Sequence, residues 1–189
     1  MSTQIINAKN AWALSLECAQ SVYGTKPPNA RYAWDVARLL AMTVAHESGG
    51  FLWNRQLGFS ISETTGAFGL WQIEQGSTRA SLTYMTKRPD VAERAGRWLF
   101  QHKSVPAGWW QQFNVQGLAY LLTGWPRACC LFARLHYMRV AAPVPQSIEE
   151  QGAYAKRYYN TSAGKATAAD YVAAYQVYID SFAQADKPA

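Results

Sequence analysis

Two short segments hold the residues best suited to chemistry: HESGGF at residues 46–51 and GAFGLWQIE at residues 66–74. Between them they carry Glu47 and Glu74, with Glu63 on the stretch that leads into the second. Glycoside cleavage needs that inventory. One carboxyl must hold a proton near neutral pH for the leaving oxygen, and a second must serve the attacking water or the developing cation. Metal chemistry is less well served. His46, His102 and His136 are scattered and form no ligand cluster. No Ser-His-Asp arrangement, phosphate-cradling loop or dinucleotide fingerprint is present. No metal and no organic cofactor is expected.

The elements that must position these residues are mostly helical. A first helix is predicted from Asn10 to Tyr23, with Trp12, Leu16, Ala19 and Val22 on one face. Gly24 and Pro27-Pro28 stop it. Asn29 is a good N-cap for a second helix, whose stripe of Val36, Leu40, Thr43 and Val44 also includes Glu47. Gly49-Gly50 ends that helix, so Glu47 falls at its C-terminus on the inward face. There both burial and the negative end of the helix dipole oppose ionisation, which raises the pKa of a carboxyl. A general acid requires that property. His46 points about 100° away from Glu47 around a helix and reads as a packing neighbour.

Residues 51–76 are rich in Gly, Ser and Thr and read as a loop or small β-lobe. Helix is predicted again from near Ser77. A capping box of Asp90 and Glu93 precedes Val91, Ala95, Trp98 and Leu99. Another helical stretch follows Trp109-Trp110, and Asn114 to Leu122 is a candidate cleft-lining helix. Pro126 suits the first turn of a helix running to about Val140, before Pro143 and Pro145 break it. Two more helices are expected, one from Ile148 to Tyr159 and one from Thr167 to Phe182.

The paired motifs resemble the lysozyme-like superfamily that includes goose-type lysozymes and lytic transglycosylases. In those families a helix ends in a catalytic Glu followed by Ser, as Glu47-Ser48 does. A β-lobe there carries a G-x-G-L-M-Q-V/I segment, matched by Gly66, Gly69, Leu70, Gln72 and Ile73, with Trp71 in place of Met. Goose-type lysozymes carry one acid directly after that segment and another eleven residues earlier. Glu74 and Glu63 stand at those places, with Glu for Asp at both. Tyr159-Asn160 resembles the A-Y-N-A-G segment whose Tyr hydrogen-bonds the catalytic acid, although Thr161 and Ser162 intervene before Ala163-Gly164.

The resemblance implies an α+β, predominantly α, lysozyme-like fold with a small β-lobe beside the catalytic helix, as one domain over residues 1–189. It implies cleavage of the β-1,4 bond between N-acetylmuramic acid and N-acetylglucosamine in peptidoglycan. Glu47 would be the acid and Glu63 or Glu74 the base. Ser48, Gly66, Phe68, Gly69, Trp71, Gln72, Tyr159 and Asn160 would bind substrate. A lytic transglycosylase on the same scaffold is the first alternative, since those enzymes use one Glu and the sugar's own 6-hydroxyl. A virion structural or tail-associated protein with little turnover is the second. The wording of GAFGLWQxE and YYNTxxG also resembles bacteriophage proteins of unassigned or wall-degrading role.

Composition fits a wall-directed protein and excludes other classes. Net charge is +6 and the sequence pI is about 9.3, which favours an acidic partner such as nucleic acid, an anionic membrane or the bacterial cell wall. The Lys and Arg are scattered rather than clustered, which argues against a nucleic-acid arm. No stretch has the length and apolarity of a membrane span, so membrane insertion is not expected. Eight Trp and 11 Tyr suit a cleft that stacks sugar rings. Cys18, Cys129 and Cys130 form no disulfide framework and read as small buried hydrophobes made in a reducing cytosol. The N-terminal segment is a poor signal peptide. Synthesis in a bacterial host cytoplasm is therefore expected. Action on the periplasmic wall would follow release, or would occur as part of a virion with other virion proteins as partners.

Overall fold

A computed structural model describes residues 3–52, 66–102, 104–160 and 164–188. The chain is predominantly helical, with one two-stranded sheet among the described residues. Its organising element is α2, Ala30–Glu47. Asn29 caps this helix as expected, its side chain accepting from the Tyr32 amide at 2.7 Å. The expected single apolar stripe understates its burial. All 13 residues from Ala33 to Ala45 are buried, because neighbours cover every face of the helix. α1 (Thr3–Ser21) lies along it, as do α6 (Pro126–Met138), α7 (Ile148–Tyr158) and α8 (Ala168–Tyr178).

Polar residues on a helix buried all round need partners. Arg38 Nε donates to Gln151 Oε1 at 2.8 Å, and Gln151 returns its amide to the Asp35 carbonyl at 2.8 Å. Thr43 bonds back to the Leu39 carbonyl and across to the Tyr137 hydroxyl, both at 2.8 Å.

The remaining elements differ from expectation mainly at their ends. α1 starts at Thr3 rather than Asn10, since Ala8, Ala11 and Trp12 are already packed into the core. α3 spans Gln75–Lys87 and follows directly from the sheet. α4 spans Pro89–Phe100, and no capping box forms there. Asp90 instead takes the guanidinium groups of Arg88 and Arg94, at 2.9 and 2.7 Å, which hold its carboxyl well below the usual range. A 3-10 turn at Trp109–Gln112 leads to α5, Val115–Gly124, capped by Asn114. The last long helix expected, from Thr167, is interrupted at Ile179. α8 ends at Tyr178 and a short α9 follows, Asp180–Ala183. Thr167 and Asp170 form a reciprocal capping box at the start of α8.

Within the expected β-lobe the described residues form β1 (Ala67–Phe68) and β2 (Ile73–Glu74), paired antiparallel with Ala67 opposite Glu74 and Phe68 opposite Ile73. It rests on the helices. Phe68, Trp71 and Ile73 join the same hydrophobic cluster as α1, α2 and α6. All three cysteines are free and buried, and burial pushes the Cys129 thiol up to about 12. Among the described residues no helix is long and apolar enough to cross a membrane.

Candidate functional site

The HESGGF segment turns the chain sharply at the end of α2. Ser48 is fully buried. Its hydroxyl donates to the Val44 carbonyl at 2.6 Å and accepts the Phe51 amide at 2.8 Å. Gly49, Gly50 and Phe51 then take left-handed conformations, with φ of 59°, 73° and 69°. At Gly50 a Cβ would meet the Tyr178 ring at 2.4 Å, so both the conformation and the close approach call for glycine. Ser48 thus closes the helix end. The expectation that it binds substrate is corrected, because no face of it reaches solvent.

This turn leaves Glu47 as the last helical residue, half-buried at the foot of α8. Burial of its carboxyl raises its pKa, and the negative charge of Glu74 raises it further. Two neighbours act in the opposite sense. The Tyr171 hydroxyl donates to Glu47 Oε1, and the positive charge of Lys156 favours the carboxylate. Burial is the largest of these influences. The Tyr171 phenol is itself pushed far above its ordinary range, first by burial and then by the Glu47 charge, so it stays a hydrogen-bond donor.

A polar chain continues behind Tyr171. The Asn160 side chain bonds to the Tyr171 side chain, and Lys156 Nζ donates to Asn160 Oδ1 at 3.3 Å and to the Gly164 carbonyl at 2.7 Å. The His46 ring stacks obliquely on Tyr171, with centroids 4.1 Å apart and planes 36° apart. Burial lowers its pKa, which favours the neutral imidazole. His46 is therefore a packing neighbour of the Glu47–Tyr171 pair, as its helical position predicts.

The β-turn segment serves mainly to anchor the lobe. Gly69 has φ of 69°, and a Cβ there would meet the Leu122 carbonyl oxygen at 2.3 Å and Cys129 Sγ at 2.5 Å. It is the point where the turn presses on α5 and α6, not an open edge. Trp71 is fully buried, with its indole donating to the Leu40 carbonyl of α2 at 2.9 Å. Phe68 is 3% exposed. These burials correct the expectation that Phe68, Gly69 and Trp71 line a cleft. Gln72 is half-buried with φ of 50°, and its amide folds back to the Gly69 carbonyl at 2.8 Å, closing its own turn. Gly66, with φ of 88°, is half-buried at the entry to β1.

Glu74 is exposed at the end of β2, where its backbone starts α3. It is close enough for its negative charge to raise the Glu47 pKa. Glu63 lies outside the described residues.

The tyrosine assignment is also corrected. Tyr159 does not bond Glu47; its hydroxyl donates to the Trp71 carbonyl at 2.5 Å, and its ring packs on Tyr137 and His136. The partner of Glu47 is Tyr171, which the sequence reading missed. Tyr171 sits in ADYVAAYQVY with no motif around it, and its one signal is a Tyr on the inner stripe of an apolar helix. Asn160, by contrast, does join the site through Tyr171.

The arrangement provides a desolvated carboxyl whose pKa is raised above its ordinary value by burial, a phenol donor that orients it, and an exposed carboxyl whose charge acts on it. Among the described residues no group of His, Cys, Asp and Glu could hold a metal ion. Comparison of the chain with protein-family models, curated proteins and solved structures finds no match.

Proposed function

We propose that this chain is a peptidoglycan-cleaving glycosidase of muramidase type on a lysozyme-like scaffold, acting on the β-1,4 bond between N-acetylmuramic acid and N-acetylglucosamine. The observation that carries the reading is the pairing of a desolvated Glu47 with the Tyr171 hydroxyl beside the Glu74 carboxylate. Protonated Glu47 delivers its proton to the glycosidic oxygen as the bond to the anomeric carbon breaks. Tyr171 fixes the acid's orientation and then stabilises the carboxylate left behind. Glu74 or Glu63 takes a proton from water as its oxygen bonds to the anomeric carbon, giving inversion where the two carboxyls stand far enough apart to hold that water. Wall delivery, by release from the cell or within a virion, belongs to the same proposal.

A lytic transglycosylase on the same scaffold is the second reading, because the Glu47–Tyr171 pair would serve that route without a second carboxylate when the sugar's 6-hydroxyl attacks. Mass spectrometry of muropeptides released by the purified protein decides. Hydrolysis leaves products heavier by one water than the anhydro-muramyl ends of transglycosylation. Intact glycan strands after prolonged digestion count against both.

A further inference from the structure

A cavity of about 440 Å³ lies on another part of the molecule, between the chain reversal at residues 23–29 and the faces of α3, α6 and α7. None of Glu47, Glu74, Lys156, Asn160 or Tyr171 lines it. Its charge is one-sided. Lys26, Arg88 and Arg134 line it, and no Asp or Glu does.

Arg134 is the unusual member. It is 4% exposed, and its single hydrogen bond among the described residues runs from Nε to the Val22 carbonyl at 3.0 Å. Its two terminal amino groups make no hydrogen bond and no ion pair there. The ionisable groups that act on it most strongly are the Cys18 thiol and the phenols of Tyr32, Tyr84 and Tyr154. A buried cation with no anion beside it is costly, and folded proteins pair such groups. Arg88 already holds Asp90 through two bonds of 2.9 Å, whereas Lys26 stands exposed at the mouth. The hydroxyls of Tyr32 and Tyr84 are also unengaged among the described residues, so neutral donors accompany the charge.

We propose that this cavity is an oxyanion-binding site, in which a phosphate or carboxylate group of a small ligand fills the missing pairing of Arg134. A guanidinium presents parallel N–H donors that match either group, and phenol hydroxyls add donors without charge. The volume falls in the range of small-molecule sites rather than of single ions, so the oxyanion is carried on a larger body, with tyrosine rings as its walls. The site is separate from the sugar-cleaving reading and stands or falls without it.

Isothermal titration and amide NMR on the intact chain test the proposal, with inorganic phosphate, glycerol 3-phosphate and acetate as probes at constant ionic strength. Saturable binding in at least one series is expected, tighter than about 10 mM. Amide shifts should centre on Tyr32, Tyr84, Arg88 and Arg134. Preference for glycerol 3-phosphate identifies a phosphate ester as the natural group, and preference for acetate a carboxylate. Arg134→Gln should weaken binding at least about tenfold, as loss of a charge-assisted pair implies. If that variant does not fold, the surface variant Lys26→Gln and the wild-type shift map carry the test. No saturable binding by any probe overturns the site, as do shifts that centre elsewhere or a folded Arg134→Gln that binds as its parent does.

Discussion

The phenol of Tyr171, on α8, donates its hydrogen to Oε1 of Glu47, the last residue of α2. The two are 124 positions apart in sequence. The bond joins opposing influences on one carboxyl: burial and Glu74 favour the neutral acid, while Tyr171 and Lys156 favour the anion. Because burial dominates, the carboxyl keeps its proton above the usual carboxylate range without losing its orienting partner.

If the proposed glycosidase reading holds, replacing Glu47 by Gln should reduce wall lysis by about 10²–10⁴-fold, the usual worth of a general acid. The variant should also gain in stability relative to the parent as pH rises. The folded pKa of Glu47 lies above its ordinary value of 4.5, so the proton is bound more tightly in the native state. The associated stability is complete below 4.5 and is lost as pH rises through the folded pKa. Thermal melts from pH 4 to 8 should therefore show Glu47→Gln gaining on the parent as pH increases. A parent that holds its advantage at the alkaline end would count against a buried, reluctant acid.

Tyr171→Phe removes the donor that favours the ionised form, so the Glu47 pKa should rise further. An acid works while protonated, and its loss of activity on the alkaline side follows that pKa. The alkaline limb of the kcat/KM profile should move to higher pH, with a lower plateau because the carboxyl is less well oriented. Tyr159→Phe, which breaks only the tie to the Trp71 carbonyl, should leave that limb in place. A limb that moves with Tyr159 and not Tyr171 contradicts the pairing.

Glu74→Gln tests two effects together. Removing its charge withdraws an influence that raises the Glu47 pKa, so the alkaline limb should shift to lower pH. If Glu74 is the base, turnover should also fall by roughly 10²–10⁴-fold. A shifted limb with near-normal turnover and anhydro products would assign the transglycosylase route. An unmoved limb would show that the two carboxyls do not sense each other.

Gly69→Val should act on the fold rather than on wall binding. The new Cβ would press on the Leu122 carbonyl and Cys129 Sγ, in a backbone conformation that a β-branched residue resists. Overpacking of this kind costs about 1–3 kcal/mol, to which the strained backbone adds. Urea titration should show the loss, and, if the proposed wall-directed function holds, the folded fraction should bind insoluble peptidoglycan as its parent does. Full stability with lost binding would return Gly69 to the ligand edge.

Local chemistry made much of this protein legible in its sequence. Asn29 caps α2 and Gly49-Gly50 ends it because caps and left-handed turns depend on a few adjacent residues, and those signals placed Glu47 at the helix terminus. The Gly66 and Gly69 turn was readable for the same reason. Which residues the lobe hides was not, because burial depends on what packs above. The aromatic run of Phe68 and Trp71 reads equally as cleft wall or core, and contact with α2, α5 and α6 made it core. Ser48 went the same way once α2 was enclosed on every side. The choice between Tyr159 and Tyr171 was beyond any local signal. Both are tyrosines near a helix end, and only the docking of α8 against α2 brings one hydroxyl to Glu47 and leaves the other on the Trp71 carbonyl.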